Sequence, residues 1–384
     1  MNSMPGLPST DQRHQIDTQF QDCFQSYRQN PSVFQVKPAI ENYLRATATE
    51  TSGELDLGHG DSLVLLMVDG LGYELISNYR AYARNLWSVI KDTQPMATSM
   101  PSTTAAAISS TLLGAKPAQS NMVGYQVYYR NKLFNLLNFL NAPVDPGEYQ
   151  PLPSIFSKLQ ESGIPARAFL PAKYHRPGLT TAAMKSAELV EAADLRSALA
   201  KLKSNSATGF NYLYSNMVDH AGHAHGVGSD QWLAKLEEID SLVMQMRREL
   251  SEKTKFIIMA DHGMVNADPS KQIYLANSSH LAAGVKFLAG EPRCLHVHLD
   301  EGQDPGVTYE AWKEELAGKA WVLNAEEQSM ALGGKSDKTG DFMVMMKSDY
   351  TLFDGRSGKP TAPTLPGVHG SLTSIEMLVP FAEV

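Results

Sequence analysis

The stretch SLVLLMVDG, Ser62 to Gly70, decides the fold. Its apolar run is short, unbroken, and closed by Asp69-Gly70. A half-exposed strand would alternate apolar and polar residues, so a continuous run of this length reads as a strand buried on both faces. Similar segments lie further along the chain. Phe210 to Val218 (FNYLYSNMV) runs into Asp219, and Lys255 to Ala260 (KFIIMA) runs into Asp261-His262. Ala168 to Leu170 (AFL) is a shorter version. Helix-patterned stretches separate them: Ser154 to Ser162 after a proline, the Ala/Leu/Lys-rich Leu195 to Leu202, and Trp232 to Glu252 with apolar residues at helical spacing. This alternation predicts an α/β fold, a mostly parallel central sheet with helices on both faces. Ligands of such sheets sit outside the carboxyl ends of the strands. Carboxylates at the ends of three strands are therefore expected to converge.

Residues 1–60 are polar and mixed, and read as an N-terminal arm plus a helix packing on the core. Residues 61–264 and 366–384 form the expected core. Residues 265–365 hold Pro, Gly and polar turns with short strands such as Cys294 to Leu299 and Asp341 to Met346, and read as a smaller α+β lobe inserted late in the core.

The 384 residues are 43% hydrophobic and 19% charged, which is ordinary globular composition with enough apolar material for a sizeable core. A formal net charge of -8 argues against binding a nucleic-acid polymer through its phosphates. It leaves small phosphorylated substrates open, because a bound metal reverses the local field. The two cysteines, Cys23 and Cys294, are isolated and do not make a thiolate metal site or a disulfide scaffold. No apolar run approaches the roughly 20 residues that span a bilayer, and the first residues lack a secretory pattern. The expectation is a cytoplasmic protein with no membrane role. The apolar pattern does not separate an oligomer interface from the core, so oligomeric state stays open.

Four motifs offer metal donors. Asp69 follows the first strand. Asp219 and His223 stand four apart in VDHAGHAHG, a spacing that lets two side chains reach one ion from a helix or a tight turn. Asp261-His262 supplies adjacent oxygen and nitrogen donors in IIMADHGM. His369 lies between two glycines in PGVHGS, where the backbone can approach a crowded site. Each has a bland reading as a cap, turn or loop residue. Together they supply three Asp and three His, a thiolate-free donor set suited to hydrolytic zinc and about enough for two ions. A hydroxyl comes from SMPSTTAAAISSTLLG. Ser102, Thr103 and Thr104 precede a good helix former, Ala105 to Leu113. A helix N-terminus favours a phosphate and a developing alkoxide, although a plain N-cap is the simpler role for these residues.

The ordered set VDG, PSTT before a helix, D-x-x-x-H, ADHG and GxHG resembles the type I phosphodiesterase/nucleotide pyrophosphatase family of the alkaline-phosphatase superfamily, from about residue 62 to residue 375. The resemblance implies a metal-dependent phosphoesterase with two divalent ions, zinc above all. Asp69, Asp261 and His262 would hold one ion together with Thr104, and Asp219, His223 and His369 the other. Counting from Pro101 makes Thr104 the nucleophile, with Thr103 as its rival one position earlier. A covalent phospho-threonine would form and be hydrolysed, on a phosphodiester or nucleotide pyrophosphate. This chain departs from the family at two places. Ala105-Ala106-Ala107 replaces an aromatic-Pro-Asn stretch, and Tyr125 in SNMVGY stands where family members carry a phosphoryl-binding Asn. A phenol also donates a hydrogen bond, so Tyr125 is expected to bind substrate. Without the aromatic residue at position 105, nucleotide preference is open.

Other patterns carry less. Gly70 to Gly72 hints at a dinucleotide fingerprint, but Leu75 occupies the third glycine position. Gly334-Lys335-Ser336 lacks the first glycine of a P-loop, which would fall on Ser329. No Cys-x-Pro-x-Arg of a sulfatase occurs. His296 and His298 share one strand face and read as lobe or surface residues, and His220 and His225 as neighbours of the donors. The alternatives are a phosphomonoesterase or phosphonate hydrolase of the same superfamily, or a non-catalytic metal-binding relative.

Overall fold

The computed structural model describes residues 18–45, 55–176, 178–204, 207–356 and 365–384. The arm read into residues 1–17 lies outside these, as do residues 46–54 of the same stretch and residues 357–364 of the lobe. The central sheet contains β1 (Ser62–Val68), β2 (Ala166–Leu170), β3 (Glu188–Glu191), β4 (Gly209–Ser215) and β5 (Lys255–Met259), parallel throughout in the spatial order β5-β1-β4-β2-β3. β1 lies between β4 and β5, with Val68 opposite Ser215 and Met67 opposite Met259. Every residue from Leu63 to Val68 is buried. Both faces of this strand are therefore covered, as its unbroken apolar run requires.

Helices supply the cover. In α1 (Val36–Leu44) the buried residues are Val36, Ala39, Ile40, Tyr43 and Leu44, which is helical spacing. α2 (Thr104–Leu113) is buried from Ala105 to Leu113, with the hydroxyl residues Ser109, Ser110 and Thr111 buried among its alanines and leucines. α3 (Met217–His225) follows β4 directly. α4 (Asp230–Glu249) is capped by Ser229, whose hydroxyl accepts from the Trp232 N–H at 3.2 Å, and buries Trp232, Leu236, Ile239, Leu242, Val243 and Met246. No helix among the described residues is long and apolar enough to cross a membrane.

The second sheet is antiparallel. It contains β6 (Val285–Glu291), β7 (Cys294–Leu299), β8 (Ala320–Leu323) and β9 (Phe342–Met346) in the order β6-β7-β9-β8. It has its own apolar cluster, centred on Trp312 of α5 (Pro305–Glu315) with Val297, Phe342 and Val344. The chain then returns, and β10 (Phe381–Glu383) pairs antiparallel with β5 at the edge of the central sheet.

One boundary differs from the sequence reading. The apolar stretch taken as a strand to Val218 stops at Ser215, and Asp219 lies in the first turn of α3. Asn216 is a poor strand residue, the following residues include Ala and Gly without β-branching beyond Val218, and a carboxylate in a first turn is favoured by the helix dipole.

A buried ion pair ties the two sheets together. Arg293, in the β6–β7 turn, places its guanidinium fork on Glu376, at 3.0 Å (Nε to Oε1) and 2.6 Å (Nη2 to Oε2), and both side chains are fully buried. Arg293 also donates to the Tyr350 carbonyl at 2.7 Å. Removing one partner strands a buried charge, so Arg293→Ala is expected to cost about 3–5 kcal/mol in urea unfolding. A loss below about 1 kcal/mol would show that this pair does not hold the lobe to the core.

Candidate active site

The strand ends bring the candidate donors together. Asp69 follows β1, Asp261 and His262 follow β5, and Asp219 enters from the helix after β4. Gly70 makes the close approach of β1 and α3 feasible. Its φ is +73°, and a Cβ there would lie 2.9 Å from the Asp219 Cα. His369 arrives on the loop after the short strand Gly367–Val368, which pairs antiparallel with Val265–Asn266. Two groups result. Asp69, Asp261 and His262 form one and Asp219, His223 and His369 the other, each with its donor atoms within 4.8 Å of one another. The groups are neighbours, because the rings of His262 and His369 stack at 3.6 Å.

Hydrogen bonds orient the donors. Nδ1 of His223 meets the Gly367 carbonyl at 2.8 Å, Nδ1 of His262 the Gly263 carbonyl at 2.9 Å, and Nδ1 of His369 the Ser102 carbonyl at 3.0 Å. A carbonyl only accepts, so each Nδ1 carries the hydrogen, and a neutral ring keeps its lone pair on Nε2. The carboxylates are oriented too. Asp69 Oδ2 accepts from the Tyr214 hydroxyl, and Asp261 Oδ1 accepts from the N–H groups of Gly70 at 3.1 Å and His262 at 2.9 Å. The remaining oxygens, Asp69 Oδ1, Asp219 Oδ1 and Asp261 Oδ2, are buried without a hydrogen-bond partner. They face the imidazoles: His262 Nε2 is 3.3 Å from Asp69 Oδ1 and 3.6 Å from Asp261 Oδ2, and His223 Nε2 is 3.3 Å from Asp219 Oδ1. Lone pair facing lone pair is repulsive. A cation between them relieves that repulsion, and the residues present fit divalent metal on this ground.

The titration behaviour has the same cause. Burial, then repulsion from Asp261, raises Asp69 well above the usual carboxylate range. Burial and Asp69 raise Asp219 likewise, and burial and Asp219 push Asp261 up to about 7. Burial lowers His223, holds His262 down at about 4, and with the charges of His262 and His223 keeps His369 well below its ordinary value.

Thr104 is the first residue of α2, with Thr103 at the cap position. The Thr104 hydroxyl lies 3.2 Å from His262 Nε2. The Thr103 side chain instead lies beside the Glu291 carboxyl and favours its charged form. No side chain caps α2, so its first-turn N–H groups are open to an anion. Thr104, Asp69, Asp219, His223 and His369 line a single cavity of about 920 Å³, together with Tyr125. Ala105 is fully buried and does not line it.

Several residues at the site escaped sequence reading. Tyr214, which fixes Asp69, is an ordinary strand residue in FNYLYS. Glu291 comes from the second sheet and lines the cavity, its carboxyl raised well above the usual range by burial. Gly370, at φ +125°, leaves room for it, since a Cβ there would lie 2.8 Å from the Glu291 carboxyl carbon. Glu376 accepts from the Ser371 N–H at 3.1 Å, and its carbonyl accepts from the Gly263 N–H at 2.9 Å. It thereby holds the loops of both His369 and His262. No local motif marks any of these. His296 is fully buried in β7, where Gly124 leaves room for its ring (a Cβ there would lie 3.3 Å from Nε2), while His220 and His225 are exposed.

A family model described as type I phosphodiesterase/nucleotide pyrophosphatase matches residues 63–372. No curated protein sequence matches. Among solved structures, phosphonoacetate hydrolase from Sinorhizobium meliloti 1021 in complex with phosphonoacetate is 16% identical, with a TM-score of 0.68 over 84% of this chain and 89% of its own. Murine ectonucleotide pyrophosphatase/phosphodiesterase 5 is 16% identical, with a TM-score of 0.65 over 84% and 87%. An inactive form of that murine protein in complex with AMP is 14% identical, with a TM-score of 0.64. At these identities the likeness is one of fold.

The raised carboxylates make a metal prediction with a definite sign. A group whose folded pKa is raised contributes stability that is complete below its unfolded value and lost as pH rises through the folded value. Chelated protein should therefore weaken as pH rises from the ordinary carboxylate range through about 7, the value of Asp261, while a bound cation cancels the penalty. The lowered histidines act in the opposite sense below about pH 6.5, on chelated and metal-loaded protein alike, so their effect drops out of the difference. Melting curves with and without EDTA should show a Tm gap that is wider at pH 8.5 than at pH 6. A gap that narrows with pH contradicts metal binding at these carboxylates.

Proposed function

The chain belongs to the type I phosphodiesterase/nucleotide pyrophosphatase family, and from that premise we propose that it hydrolyses a phosphodiester or nucleotide pyrophosphate bond with Thr104 as the nucleophile. The observation that carries this reading is the position of the Thr104 hydroxyl, at an open helix N-terminus and 3.2 Å from an imidazole of the donor set. Asp69, Asp261 and His262 would hold one divalent ion with Thr104, and Asp219, His223 and His369 a second. Two zinc ions there would supply Lewis-acid polarisation of the phosphoryl oxygens and a lowered hydroxyl pKa. The Thr104 oxygen displaces the leaving group at phosphorus, and water then displaces Thr104. First-turn N–H groups of α2 and the Tyr125 hydroxyl would bind the phosphoryl oxygens. The cavity size favours a substrate with a large ester group over a simple monoester. The thiols Cys23 and Cys294 are unpaired, which suits a reducing compartment such as the cytoplasm.

Turnover of bis(4-nitrophenyl) phosphate tests the assignment. Thr104→Ala should retain its metal, measured by elemental analysis, and lose roughly 10³-fold or more in kcat. Thr103→Ala should lose far less. The reverse order would move the nucleophile to Thr103, and near-normal turnover in both variants would remove the covalent route.

A further inference from the structure

The cavity is much larger than a phosphoryl group needs, and its charge is divided. Asp69, Asp219 and Glu291 line the end beside Thr104. The same lining includes the apolar Leu137, Leu140, Leu179 and Met184 and two cations, Lys173 and Arg176. Among the described residues neither cation has a carboxylate partner. The Lys173 ammonium instead lies 4.8 Å over the Tyr174 ring.

This segment is held in register with the donors. The Tyr174 carbonyl accepts from the Thr180 hydroxyl at 2.7 Å, and its phenol oxygen accepts from Asn216 Nδ2 at 3.1 Å. Its ring stands edge-on to Tyr214 at 5.6 Å, and Tyr214 donates to Asp69. Lys173 follows β2, which lies two strand positions from β1 in the sheet. That puts the cations on the order of 10 Å to the side of Asp69. In a chain of net charge -8, Lys173 and Arg176 are exposed cations that share a cavity lining with Thr104 and with several leucines.

Resting on the phosphodiesterase reading, we infer that this cavity binds the ester group that stays on phosphorus, and that this group is apolar along its length and anionic at its far end. Leu137, Leu140 and Leu179 take the chain, and Lys173 with Arg176 takes a carboxylate or phosphate terminus.

The probes are the 4-nitrophenyl phosphodiesters of hexanol and of 6-hydroxyhexanoate, read by nitrophenolate release at low ionic strength, where such pairs are least screened. Wild-type protein should prefer the carboxylated ester by about fivefold in kcat/KM, the range of two partly exposed ion pairs. In Lys173→Ala/Arg176→Ala the ratio should fall to about one. Equal rates in the wild type overturn the inference while leaving the phosphodiesterase reading intact. An equal loss on both esters in the variant also overturns it, because it places the cations at the phosphoryl group. If neither ester is turned over, the phosphodiesterase reading fails. Calorimetric binding of 5-carboxypentyl phosphate against hexyl phosphate then decides the subsite: a preference that the double variant loses upholds it, and no preference overturns it.

Discussion

Three imidazoles with Nδ1 committed to backbone carbonyls, facing three carboxylate oxygens with no partner, are the constraint around which the molecule is organised. Such an arrangement is costly without a cation, since burial raises the acids and lowers the histidines. The fold tolerates it because the backbone bonds leave the rings no other orientation. The three histidines, Asp69 and Asp261 each have one atom tied down and one directed inward, so the second atom is poised for a ligand rather than for solvent.

The parallel sheet explains how residues so far apart in sequence reach this place. β1 sits between β4 and β5, so everything that follows these three strands emerges at one edge. Asp69 and Asp261 need only short turns to arrive. Asp219 needs α3 to pack tightly against the β1 turn, which the bare backbone of Gly70 permits. The same edge continues across to β2, and the Lys173–Arg176 segment extends the cavity from there.

The second sheet is part of the site as well as an addition to it. Its β6–β7 turn sends Glu291 to the cavity wall and Arg293 to Glu376. Glu376 in turn anchors the segments that carry His262 and His369. A change in the second sheet is thus felt at the donors through one buried ion pair.

The amino-acid sequence by itself determined the buried strands, because an unbroken apolar run is satisfied only with both faces covered. It also marked Asp69, Asp219, His223, Asp261 and His262 as donor types at strand ends or helical spacing, and His369 as one between two glycines. The length of β4 was misread, since a run of apolar residues does not show where a helix takes over. Tertiary structure alone decided which atoms face which. The roles of Tyr214, Glu291, Arg293 and Glu376 depend on contacts between residues distant in sequence. Such contacts have no local period or spacing, and they exist only once the sheet has brought its edges together.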